Sequence, residues 1–314
     1  MIQLTMILKK IILFIFVLAL SFPSFGQYRR ATKRTSHTEF GFFRGYAAYY
    51  GDLANRGEYI NMTDKDQAVG AFLRYNFDSF YAIRFSYMTG RLKASDEDAT
   101  DDYELNRGLS FENDITEFSL ITEVNLFNYN ICRTTAVYAP YVFFGVAIFT
   151  HNPMYVGGST REPLIDKRTE GQSTAPYNGP PNSTTFNDGD KGGYRHEYYL
   201  TQFAIPIGLG FKYRFYRNST IAFELGYRQI FTDYIDDVSK TYVNTPLSAD
   251  KTSSQRYADP TSNLPGGVTH AEGDLRGTKN GNDFFVFFGV TVSFSSANCE
   301  KKNPVKCFSF SKWK

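Results

Sequence analysis

Three stretches of the chain alternate apolar and polar residues with a period of two. In 196–215, Phe203, Ile205, Ile207, Leu209, Phe211 and Tyr213 share one face, and Ala204, Pro206, Gly208, Gly210, Lys212 and Arg214 the other. In 219–232, Ile221, Phe223, Leu225 and Tyr227 alternate with Ala222, Glu224, Gly226 and Arg228. In 282–296, Phe284, Val286, Phe288, Val290, Val292 and Phe294 alternate with Asp283, Phe285, Phe287, Gly289, Thr291 and Ser293. A period of two predicts strands with two unlike faces. Five weaker runs, 38–52, 67–77, 80–92, 113–127 and 136–150, bring the predicted strands to eight. The first and fifth of the eight alternate least cleanly. Pro206 lacks a ladder donor, which a bulge would accommodate.

The connections carry more information than the strands. Asp78-Ser79, Asn128–Thr135 and Tyr216-Arg217-Asn218 make three short joins, and the other four run about 14, 20, 45 and 49 residues. Short and long alternate without exception. A soluble sandwich has no reason to sort its loops in this way. An outer-membrane barrel has one: its turns are short on the periplasmic side and its loops long outside. The expected fold is therefore all-β, an eight-stranded antiparallel transmembrane β-barrel over 38–296. Closure is required, because an open sheet edge in hydrocarbon leaves backbone groups unpaired.

The N-terminus agrees with export. Lys9 and Lys10 precede an apolar run, Ile11–Phe22, and Ser24-Phe25-Gly26 supplies small residues for cleavage before Gln27. A run of about twelve residues is short for a membrane-spanning helix, which needs roughly 20, and an uncleaved anchor is the alternative. The expected organisation is a signal peptide at 1–26, a periplasmic segment at 27–37, the barrel, and a periplasmic tail at 297–314. The chain holds 34 basic and 32 acidic residues, and losing Lys9 and Lys10 leaves 32 of each. That balance argues against a nucleic-acid partner. The expected surroundings are outer-membrane lipids.

The polar faces collect Arg74, Arg84, Glu117, Glu123, Lys212, Arg214, Glu224, Arg228 and Asp283. Eight strands enclose a space that side chains can fill, so these residues are expected to form an ion-pair network plugging the lumen. Open-channel transport is the competing reading. His37, His151, His196 and His270 show no metal-ligand spacing. His151 and His196 bracket one long loop, which leaves a lipid-modifying enzyme as a further reading, without a nucleophile–base pair to support it. Asp233, Asp236 and Asp237 read as bracing a loop base by capping and salt bridges, with Ca²⁺ binding, which their spacing would allow, as the alternative. Asp96–Asp102 reads as a solvated loop tip. No catalytic residue, cofactor, metal or small-molecule substrate is expected.

Three cysteines, Cys132, Cys299 and Cys307, fall on the short-turn side, which the barrel reading makes periplasmic and oxidising. Three is odd. One reading is an internal disulfide with one thiol left over, and the other a disulfide to a periplasmic partner.

The segment 228–242 (RQIFTDYIDDVSKTY), with 49–53 (YYGDL), resembles the PorG-type outer-membrane proteins of the Bacteroidota type IX secretion system. Arg228, Asp233, Tyr234, Asp236 and Asp237 lie in that longer run. The resemblance implies a non-enzymatic protein that contacts periplasmic ring proteins of the PorK and PorN type, in a machine that exports proteins carrying a C-terminal sorting domain and, in some species, supports gliding motility.

Overall fold

A computed structural model describes residues 36–54, 67–99, 101–129, 137–157, 160–170, 172, 198–216, 218–242, 256–263, 267–271, 273–277 and 282–296. The expected signal peptide and C-terminal tail, most of the N-terminal segment, and Cys132, Cys299, Cys307 and His196 lie outside these residues.

Ten strands form: β1 His37–Tyr50, β2 Gln67–Asn76, β3 Tyr81–Ser95, β4 Ser110–Asn125, β5 Tyr138–Thr150, β6 Pro153–Gly157, β7 Thr160–Pro163, β8 Thr201–Tyr216, β9 Ser219–Ile230 and β10 Phe284–Ser295. Eight of them, all but β6 and β7, pair antiparallel with their neighbours, and β3 pairs with β4 to close the ring. The fold is a closed eight-stranded antiparallel barrel. β6 and β7 make a hairpin that extends β4 within the loop after β5, where no element was expected.

The register defines the barrel's geometry. One row of paired residues runs Pro140, Phe211, Phe223, Val290, Arg44, Val69, Thr89, Thr116 and Thr150, starting and ending on β5. The row returns ten residues further along β5, a shear of ten. With eight strands, that shear tilts each strand by about 40°. Pro206 produces no register shift. The β5–β8 pairing lapses opposite it, between the Phe144–Ile207 and Ala147–Ala204 pairs, and resumes unchanged. The irregularity in β8 lies instead at Arg214/Tyr216.

Side chains sort by face as the alternation requires. Phe203, Ile207, Leu209, Phe211, Phe223 and Leu225 are exposed on the outside, while Ala204, Lys212, Ala222, Arg228, Phe285 and Phe287 are buried within. In water such a coat of exposed aromatics and aliphatics would be a severe cost. In a bilayer it is the expected lipid-facing band. Tyr75, Phe77, Tyr81, Tyr138, Phe215 and Phe294 gird its turn end. The inner face of β1 carries Gly41, Gly45 and Ala47. A Cβ on Gly45 would lie 2.1 Å from the Phe288 carbonyl oxygen and 2.7 Å from Gly289 Cα, so the close approach of β1 and β10 needs glycine there.

Chain connectivity repeats the expected asymmetry. β2–β3 and β8–β9 are joined by short turns, and the connections after β5 and β9 are the long ones. β1 begins and β10 ends at the short-turn end, where the Ser296 backbone N–H donates to the Thr38 carbonyl oxygen at 2.8 Å.

Candidate functional site

The interior nearer the turn end holds one charged network. Arg74 donates to Glu39 at 2.7 Å and to Glu123 at 3.1 Å. Arg84 donates to Glu224 at 2.5 Å and lies 3.1 Å from Glu123. Lys212 Nζ donates to Glu123 at 2.6 Å and to the Asn125 side-chain oxygen at 3.2 Å. The Tyr141 hydroxyl donates to Glu224 at 2.5 Å, and the Ser293 hydroxyl to Glu39 at 2.9 Å. Glu39, Arg74, Arg84, Glu123, Tyr141, Lys212, Glu224 and Ser293 come one from each of the eight barrel strands. Three carboxylates meet three cations, so the network closes without excess charge. Buried charges persist only when paired in this way.

Above it lies an aromatic layer. The Phe72 ring packs against both guanidinium groups, 4.8 Å from Arg74 and 5.3 Å from Arg84, and Phe143 is 5.3 Å from Arg84. Beyond this layer Arg228 forms a two-pronged pair with Glu117, at 3.0 and 3.1 Å, and stacks on Phe287. The predicted lumen residues therefore divide. Arg74, Arg84, Glu123, Lys212 and Glu224 form the first group, and Glu117 and Arg228 the second. Arg214 is half-buried at the end of β8, and Asp283 belongs to neither group. Glu39 escaped the sequence reading because the alternation of β1 is diluted by glycine and alanine. Tyr141 escaped it because a tyrosine in an apolar run looks lipid-facing.

Asp283 sits at the loop end, among the motif residues. The Tyr49 hydroxyl donates to Asp236 Oδ2 at 2.5 Å and lies 3.4 Å from Asp283 Oδ1. Asp283 also accepts from the Ile235 backbone N–H, and Asp236 from that of Val238. Asp237 accepts from Tyr198 and Thr169 and adopts a left-handed backbone, φ 65°. Its carbonyl oxygen takes a hydrogen bond from Arg276, which also pairs with Glu170. Glu170 in turn accepts from the Ser239 and Lys240 backbone N–H groups. Asp233 accepts from the Ser239 hydroxyl, and the Tyr234 hydroxyl donates to Glu170. The motif is thus the keel of a cap built from the loops after β1, β3, β5 and β9.

A short helix, α1 Asp102–Arg107, belongs to the same cap. Asp101 caps its start by accepting from the Tyr103 N–H, and Gly108 ends it at φ 64°. Arg107 chelates Asp96 at 2.6 and 2.7 Å and donates to the carbonyl oxygens of Arg276 and Asp52. Asp96 is 2% exposed. The expectation of a solvated tip at Asp96–Asp102 is corrected for that residue: its charge is neutralised by Arg107, eleven residues on.

Burial raises the Asp236 and Asp283 carboxyls well above the ordinary range, and neighbouring carboxylates add to it, Asp52 at Asp236 and Asp236 at Asp283. Burial also holds Asp233 up at about 8 and Asp237 at about 6. These groups brace loops by hydrogen bonding. Among the described residues no three His, Cys, Asp or Glu side chains converge as metal ligands. His151 is buried, its Nε2 3.1 Å from the Tyr199 carbonyl oxygen, and burial pulls its pKa down to about 4. It packs among Phe149, Tyr198 and Asn113 rather than at an open rim.

Comparison with known proteins places the chain. Residues 10–171, just over half of it, match the model of a family described as a domain of unknown function, DUF6089. The chain belongs to the DUF6089 family. That match takes in β1 with Tyr49 and runs into the loop after β5, and it ends before the Asp233–Asp237 segment. A search of curated proteins gives no match. Among solved structures, the N-terminal barrel domain of Pseudomonas aeruginosa OprF is 12% identical, with 83% of this DUF6089 chain and 98% of that chain covered and a TM-score of 0.32. Ail of Yersinia pestis is 8% identical, over 84% and 99%, with a TM-score of 0.35. Neisserial surface protein A is 7% identical, over 83% and 96%, with a TM-score of 0.36.

Proposed function

We propose that this protein is an outer-membrane component of the type IX secretion machinery and acts by protein contact, without catalysis and without conducting solute. One observation carries the non-conducting part: every barrel strand contributes a side chain to the ionic network that fills the lumen. A barrel so filled has its surfaces left to work with. The secretion role is supported by the resemblance of YYGDL and TDYIDDVS to the PorG type. Those two segments meet through Tyr49 and Asp236.

In this reading the short-turn end faces the periplasm, along with both chain termini, and there it meets ring proteins of the PorK and PorN type. Cys132, Cys299 and Cys307 are the candidates for contact or disulfide formation. Deleting the gene tests the role. Sorting-domain cargo then fails to reach the medium while the outer membrane stays sealed, and normal secretion overturns the proposal. Non-reducing electrophoresis of native envelopes tests the thiols, since a monomer band unchanged by reductant excludes an intermolecular disulfide.

The ordered cap supports a second reading, a small barrel that serves as an adhesin or envelope stabiliser through its loops. Deletion would then impair attachment or envelope integrity and spare secretion.

A further inference from the structure

The outer surface is charged on one side. On β5 and β8–β10 no outward-facing position among the described residues carries a charge. On β1–β4 and the β7 extension, Arg44, Arg91, Lys93 and Arg161 face outward with Glu112 and Asp114. Four cations against two carboxylates leave an excess of positive charge.

Arg44 is the unexpected member. In the paired row that climbs from Pro140 to Thr150, it stands four strand steps from each end. Those ends are ten residues apart on β5, about 25 Å along the axis at a tilt of about 40°. That equals the height of an outer-membrane barrel's apolar band, about 25 Å. Arg44 is therefore rooted at mid-depth, exposed, between outward-facing Val69 and Val290. Its guanidinium leans toward the loop end and donates to Gln67 at 2.6 Å. In the row of Gln67, one strand further on, stands Arg91, which pairs with Asp114 at 2.6 Å, and Arg161 joins the same carboxylate at 2.7 Å. Lys93 pairs with Glu112 at 2.6 Å. The result is a polar track from mid-band to the loop-side rim.

A lipid-facing arginine is costly, and such residues mark functional sites. Among the described residues its one hydrogen bond is to a neutral amide, which leaves its charge for an occupant that brings negative charge. A second copy of this chain offers no outward carboxylate at that depth among the described residues. We infer that the outward face of β1–β4 binds a phosphorylated lipid headgroup of the loop-side leaflet, seated at Arg91, Lys93 and Arg161 and drawn toward Arg44 by local thinning of the leaflet.

Native mass spectrometry of the purified full chain tests this, with diphosphoryl lipid A and phosphatidylcholine as competing probes. The wild type is expected to retain lipid A preferentially. Arg44→Gln and Arg91→Gln each weaken that preference about fivefold, the scale of one basic side chain at an anionic bilayer, while Arg44→Lys keeps most of it. Heat-modifiable electrophoretic mobility verifies folding. If a glutamine variant fails to fold, monophosphoryl lipid A on the wild type gives the same reading by weakening retention. Equal retention of both probes, or glutamine variants that behave as wild type, overturns the inference. So does a photocross-linker at position 67 that captures protein rather than lipid in native membranes.

Discussion

Tyr49 and Asp236 are joined at 2.5 Å across 187 residues of chain. One ends the first barrel strand and the other opens the longest loop, so their bond fixes the cap to the barrel wall. Tyr49→Phe removes the donor and leaves Asp236 buried with one partner fewer, a loss of about 1–3 kcal/mol. The loss falls on the cap. Limited proteolysis should cut the loops after β5 and β9 faster, while the barrel keeps its heat-modifiable mobility. Unchanged loop protection would refute the keel role.

The cap should loosen as pH rises. Asp237 at about 6 and Asp233 at about 8 both stand above the unfolded value of about 3.9. A carboxyl whose folded pKa is raised stabilises the fold fully below its unfolded pKa and loses that contribution as pH climbs through the folded one. Amide exchange in 231–242 is therefore expected to quicken with pH beyond the intrinsic base-catalysed rate, in a steep step from about 4 to 6, where both carboxyls contribute, and a shallower upper step from about 6 to 8, where Asp233 alone of the two does. Asp233→Asn should flatten the upper step.

Glu123 lies within 3.1 Å of Arg74, Arg84 and Lys212. Glu123→Ala strands three buried cations with two carboxylates. The expected loss is about 3–5 kcal/mol, read as a lower urea midpoint for barrel unfolding. Glu123→Gln keeps the volume and should show that charge, not shape, is responsible.

Planar-bilayer recordings of the wild type should show no large, steady conductance. Glu117→Ala with Arg228→Ala opens only the loop-side group, and the turn-side network still blocks passage. Large steady currents from the wild type would contradict the plugged lumen.

Most of the barrel was legible in the chain, because period-two alternation and loop sorting are direct imprints of a lipid-facing surface. β8, β9 and β10 read cleanly: their outer positions are almost all apolar, and their inner ones are small or polar apart from Pro206, Ile230, Phe285 and Phe287. β1 read poorly because its inner face alternates glycine, phenylalanine and alanine, with Glu39 as the sole acid. The turn-side network was legible as a list, since Arg74, Arg84 and Glu123 sit on polar faces, but its division from the Glu117–Arg228 pair depends on shear, which no single strand reveals. The cap was not legible. Glu170, Arg276 and Arg107 lie in stretches without periodicity, and only the chain's return brings them onto Asp237 and Asp96. The motif stands out by its resemblance, and the spacing of its three aspartates reads as a braced loop base ahead of a Ca²⁺ site, but nothing in the sequence points to the partners that bury it.

The seam between β1 and β10 has a consequence for biogenesis. Thr38 and Ser296, bonded at the turn end, are separated by 258 positions. Contacts so distant in sequence form late and slowly. Until the last strand arrives, β1 has one bare edge and the lumen charges lack Ser293 and the wall that β10 provides. The chain must therefore be carried to its membrane as a largely unfinished polymer, and any truncation before Phe284 should yield a species that cannot close and that falls to envelope proteases.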